Sequence, residues 1–178
     1  MRKAEEALEN EEWETALVCF NKVIFYDKKI PEVYIEKAEI FIKICDFSSA
    51  IQCFKKALLL TQNEQWSTKM NQLYFMKGLT LIEEGYCNDA LNLVSTLESD
   101  DIKFTYLKAL AYIRAANKDL AFAELEKATK KDPNNIEVII LKGKLLWSID
   151  QIEKGNEMFW LAHDLDPNHH EVIEFLSI

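Results

Sequence analysis

The amino-acid sequence predicts an all-α chain of stacked helix hairpins, and three observations carry that prediction. Gly and Pro number only 4 and 3 among 178 residues, which leaves little for strand hairpins and favours long helices with few breakers. The skeleton Ala50, Phe54 and Ala57 of DFSSAIQCFKKALLL stands 34 residues earlier as Ala16, Phe20 and Val23, and later as Ala121, Leu125 and Ala128 in ANKDLAFAELEKATKKD. Pro133 in KKDPNN and Pro167 in DLDPNH also lie 34 residues apart. A recurrence of this length marks a repeat architecture, in which each unit needs its neighbours to cover its apolar face.

The two prolines fix the frame. Each follows a helix-period apolar pattern, where a residue without an N–H ends a helix. With each proline at repeat position 32, position 8 is Ala4, Ala38, Gly78, Ala109 and Gly143, and position 20 is Ala16, Ala50, Ala90, Ala121 and Gly155. All are small. Position 24 is Phe20, Phe54, Val94, Leu125 and Phe159, all bulky, and position 11 is Ala7, Phe41, Leu81, Tyr112 and Leu146. Two antiparallel helices approach closely only where small residues at the crossing let bulky ones interdigitate.

The elements follow in order. Helix A of each unit falls at about positions 1–14 and helix B at about 17–30. Residues 1–30 form a unit that begins inside its helix A, followed by units 31–64, 71–101, 102–135 and 136–169. Residues 170–178, HEVIEFLSI, read as the opening of a further or capping helix, with Phe175 and Leu176 awaiting a neighbour. Residues 65–70, QWSTKM, are extra between the second and third units and read as a lengthened helix A, with Trp66 as a candidate contact residue. The third unit ends early, in LESDD without a proline. Both ends cut the pattern without a polar-faced cap, as in a segment of a longer array whose ends can self-associate.

This pattern resembles the tetratricopeptide repeat family, whose signature is W-x2-L-G-x2-Y, then A-x3-F, then A, then P. The resemblance covers nearly the whole chain and implies a right-handed α-solenoid that acts as a non-catalytic protein-interaction scaffold. It further implies that the A helices line a concave groove. The groove positions carried over from the family, roughly 2, 5, 6, 9, 12 and 13, include Ile35, Glu36 and Glu39 in the second unit and Phe75, Met76 and Leu79 in the third. They continue with Tyr106, Leu107, Leu110 and Arg114, then Ile140, Leu141, Lys144 and Trp147. The apolar middle of this set suits an amphipathic helix or an extended protein segment. Family members that hold a chaperone's C-terminal carboxylate use Lys and Asn at positions 2 and 6. Here those positions carry Glu32, Glu36, Gln72, Met76, Lys103 and Leu107, so that clamp is missing.

The bulk composition excludes other classes. A net charge of −9 disfavours nucleic acid, which calls for a basic face, and with it an RNA-reading helical repeat. No apolar run approaches the roughly 20 residues that span a bilayer. Cys19, Cys45, Cys53 and Cys87 include no C-x-x-C pair, which fits a reduced, intracellular and cytoplasmic setting. Cys19 and Cys53, equivalent on successive B helices, read as packing residues. There is no phosphate loop, no H-E-x-x-H helix and no EF-hand pattern, and His163, His169 and His170 read as solvated. The chain is therefore expected to be no enzyme, with no cofactor, no metal and no small-molecule substrate.

A lysine ladder stands out at position 7: Lys3, Lys37, Lys77, Lys108 and Lys142. Stacked ammonium groups repel unless paired or solvated, so each is expected to meet an acidic residue closing the previous unit, such as Asp132 for Lys142. Six glutamates in residues 5–14 form an acidic end, and Lys103, Arg114 and Lys144 lie further along. The rival functional reading is a permanent structural subunit of a large assembly.

Overall fold

The structure, a computed structural model, describes residues 2–97 and 99–176. Met1, Glu98, Ser177 and Ile178, which the repeat frame takes in, lie outside the described residues, as does the side chain of Glu5 from the acidic run. The described residues form helices joined by short loops, with no strand. The chain divides into two compact units, Met1–Lys77 and Gly78–Ile178.

In the first unit α1 (Arg2–Glu9) pairs with α2 (Trp13–Tyr26), and α3 (Pro31–Lys43) pairs with α4 (Phe47–Leu60). Helix α2 also packs on α3, so the two hairpins share one core. Ala4, Ala7, Ala16, Phe20, Val33 and Ile40 form that core, and Ala38, Ala50 and Phe54 are also fully buried. Burying a side chain the size of Phe20 or Phe54 contributes about 2–3 kcal/mol relative to leaving it in water. The extra residues 65–70 are helical, inside the 20-residue α5 (Glu64–Glu83), where Trp66 is half-buried.

The second unit holds α6 (Cys87–Ser95), α7 (Ile102–Arg114), α8 (Lys118–Lys131), α9 (Ile136–Trp147), α10 (Ile152–Leu165) and α11 (His170–Leu176). Helices α7 and α8 form one hairpin, α9 and α10 the next, and α8 packs on α9. Ala109, Ala121, Leu125, Ala128, Val138, Leu141 and Leu145 fill the space between them. A second cluster joins Ile139, Ile140, Phe159 and Ala162 to Val172 of α11. Phe175 does not wait for a neighbour: its ring stacks on Phe159 with centroids 4.5 Å apart.

Every A-to-B turn is built the same way. Glu11, Cys45, Gly85, Ala116 and Asp150, all at repeat position 15, have φ of 58°, 60°, 88°, 57° and 60°. The next N–H donates back across the turn to position 11: Glu12 to Ala7, Asp46 to Phe41, Tyr86 to Leu81, Asn117 to Tyr112 and Gln151 to Leu146. This left-handed residue with its long return bond is the Schellman termination of an α-helix. Position 16 then caps helix B, and Asp46 and Asn117 do so with their side chains, accepting from the N–H of Ser49 and Leu120.

Candidate partner-binding site

The carried-over positions divide by burial. Leu107, Ile140 and Leu141 are 0%, 3% and 5% exposed and belong to the cores. Ile35, Glu39, Phe75, Leu79, Tyr106, Leu110, Lys144 and Trp147 are half-buried, and Glu36, Met76 and Arg114 are exposed. Trp147 is a packing residue. Its ring meets Phe159 and Phe175 edge-on at 5.1 and 5.2 Å, and its Nε1–H donates to Asn156 Oδ1 at 3.1 Å.

Within the first unit, α1 and α3 leave a cleft of about 180 Å³ lined by Leu8, Trp13, Glu36, Glu39, Ile40 and Lys43. Two of its charges are engaged. Lys69 pairs with Glu39 at 2.5 Å, and the Lys43 ammonium sits 4.9 Å from the Trp13 ring centroid.

Within the second unit, α7, α9 and the start of α11 enclose a cleft of about 150 Å³. Ile140 and Leu141 lie in its wall, with Tyr106, Glu137, Lys144, His169 and Glu171 around them. Lys144 pairs with Glu171 at 2.7 Å and stands 5.5 Å from the Phe175 ring, which holds that cation against α11. Burial pushes the Tyr106 phenol above its ordinary range, and the charges of Glu171 and Glu137 push it the same way. His169, expected to be solvated, is half-buried, and its Nδ1 is buried without a hydrogen-bond partner. Nothing in the isolated motif His169–His170 signals this.

The family model for the tetratricopeptide repeat matches residues 31–64. Tetratricopeptide repeat protein 16 of Macaca fascicularis is 27% identical over 147 residues, spanning 80% of this chain and 17% of its own length. The fold resembles YrrB, a TPR protein with an unusual peptide-binding site, with a TM-score of 0.64 at 20% identity over 98% of this chain and 89% of that one. It also resembles MamA from Desulfovibrio magneticus, with a TM-score of 0.61 at 20% identity, over 94% and 93% of the two chains. Residues 31–64 match a tetratricopeptide repeat, and the described helices share the fold of solved tetratricopeptide repeat proteins. The chain spans between 17% and 22% of the length of the curated relatives it matches.

Three lysines of the position-7 ladder link successive hairpins. Lys37 donates to Asn21 Oδ1 at 2.6 Å and Lys77 to Ser48 Oγ at 2.9 Å, each on the preceding helix B. Lys142 pairs with Glu126 on α8, not with Asp132 as the spacing predicts. Asp132 is committed to its own turn, where its Oδ1 accepts from the N–H of Asn134. Of the cysteines, Cys53 is buried, Cys19 and Cys87 are half-buried and Cys45 is exposed; all four are free thiols. Burial raises the Cys53 thiol above its ordinary range, the opposite of what a reactive thiolate needs. Among the described residues no cluster of three or more metal-ligating side chains occurs, and no helix is long and apolar enough to cross a membrane.

Proposed function

We propose that this array is a non-catalytic scaffold for protein–protein interaction, and that its helix-A faces take a helical or extended protein segment. The observation that carries this reading is that one cleft in each unit opens on helix-A positions. Positions 6 and 9 of the second repeat, Glu36 and Glu39, line one, and positions 2, 5, 6 and 9 of the last repeat, Glu137, Ile140, Leu141 and Lys144, line the other. YrrB, which shares the fold, is described by its peptide-binding site. Cavities of 150–180 Å³ are the size of single side chains. A segment anchored by two or three such side chains would bind at about micromolar affinity after the cost of association.

A second reading, a permanent subunit of an assembly, is favoured by apolar side chains on the B helices. Phe25, Tyr26 and Leu59 are 78%, 87% and 85% exposed in the first unit. Quantitative affinity capture from a native lysate separates the two readings. One bait carries Glu36→Lys with Arg114→Glu, the other Phe25→Glu with Tyr26→Glu, and circular dichroism checks that both are as helical as the parent. Partners lost only with the first bait support the helix-A reading. Partners lost only with the second place recognition on the B helices and overturn it.

A further inference from the structure

Resting on the scaffold reading, we propose that the cleft of the second unit reads a basic residue of the partner, with the aliphatic stem of a lysine or arginine on Ile140 and Leu141 and its cationic head between Glu137 and His169. Three independent features select a cation over an anion or a wholly apolar group. The one cation of the cleft, Lys144, is already neutralised by Glu171 at 2.7 Å, so it has no charge left to attract a carboxylate. Glu137 is exposed and enters none of the ion pairs found among the described residues of this unit. The buried Nδ1 of His169 has no hydrogen-bond partner, and in the Nε2–H tautomer of the imidazole it accepts a hydrogen bond from a cationic donor. An ammonium or guanidinium brings several donors, enough for the carboxylate and the imidazole nitrogen together.

Size and field agree with this assignment. The cavity of about 150 Å³ has room for one such stem but not for a bulky aromatic together with a head group. Residues 78–178 carry eighteen Asp and Glu against ten Lys and Arg, so this unit holds nearly all of the chain's −9 charge. A basic segment would therefore be drawn towards it before docking. The cleft of the first unit differs in having no unpartnered imidazole, and there Glu39 is occupied by Lys69 and Lys43 covers Trp13.

The test is selection of a random dodecapeptide display library on the intact 178-residue chain, followed by affinity measurements with the enriched peptides at physiological salt. Enriched peptides should share a Lys or Arg beside an apolar residue. Their binding should weaken at least about tenfold with Glu137→Lys, and less than about threefold with Glu153→Lys, which makes the same change of net charge at the exposed start of α10. Equal loss with the two variants would show long-range attraction alone and overturn the cleft assignment. Enriched peptides without a basic residue, or unaffected by Glu137→Lys, would overturn it while leaving the scaffold reading in place. No enrichment of any peptide would overturn both.

Discussion

Trp147 occupies the space that a methyl group at Gly155 would need: a Cβ built there would lie 2.1 Å from the indole Cδ1 and 3.0 Å from the Gly143 carbonyl oxygen. Position 20 is alanine in the other four repeats, and here the indole has displaced even that methyl. Gly143, at position 8, faces the same crossing, and a Cβ there would come 2.9 Å from the Phe159 ring. The last hairpin is thus packed around one indole, which explains why Trp147 is held half-buried against Phe159 and Phe175.

Gly155→Ala is therefore expected to lower stability by about 1–3 kcal/mol through overpacking, although alanine gains about 1 kcal/mol of helix propensity. Trp147→Leu in the same chain should recover part of the loss. Urea midpoints for both single variants and the double variant form a cycle that measures the coupling. Additive effects would mean that the two side chains do not share this space.

Left-handed residues at position 15 give the second prediction. A non-glycine residue there carries a cost of about 1–2 kcal/mol that glycine avoids, offset in part by glycine's greater chain entropy. Ala116→Gly and Cys45→Gly should each raise stability by about 0.5–1 kcal/mol, and Gly85→Ala should lower it by a similar amount. Thermal unfolding of the three variants checks the signs, which are opposite to those expected for glycine inside a helix.

The same position shows what the sequence reveals and what it hides. The frame of small and bulky residues at positions 8, 20 and 24 is readable because close helix packing admits only those sizes at a crossing. All of Ala38, Ala50, Ala109 and Ala121 are fully buried. The five identical turns are hidden, because only Gly85 carries the residue type that signals positive φ and the packed hairpins impose it on Glu11, Cys45, Ala116 and Asp150. Side-chain partners are hidden for a related reason. Spacing alone offers Asp132 to Lys142, and only the stacking of α9 on α8 brings Glu126 to it. The carried-over groove positions show the same limit: residue type cannot separate Leu107, sealed against Gly78, from the half-buried Leu110.

The Lys142–Glu126 pair should matter little to stability. Its glutamate side chain is 52% exposed, and exposed pairs contribute about 0–1 kcal/mol. Glu126→Gln is expected to cost less than about 1 kcal/mol at low salt, and less again at about 0.5 M salt as screening weakens the attraction. A cost well above that, unchanged by salt, would show the lysine ladder to be a structural necessity rather than a set of surface links.

The cap of α4 gives a prediction with a defined pH window. Hydrogen bonding from Ser49 holds the Asp46 carboxyl below its ordinary 3.8, and the partial positive charge of the helix N-terminus favours the same charged form. Because the folded value is the lower one, the unfolded chain binds this proton first as pH falls. The stabilisation is then complete above the ordinary carboxylate range and is lost as pH drops through the folded value. Asp46→Ala should cost about 1 kcal/mol at pH 7. Asp46→Asn keeps an acceptor for Ser49 but does not titrate, so the advantage of the parent over this variant should be constant above about pH 5 and shrink below about pH 4. Urea unfolding of the parent and the Asp46→Asn variant at pH 7, 5 and 3 isolates this group from the other carboxylates, whose titration is common to both chains. A difference that stays flat across the three values would show that the cap works through its hydrogen bond alone, without its charge.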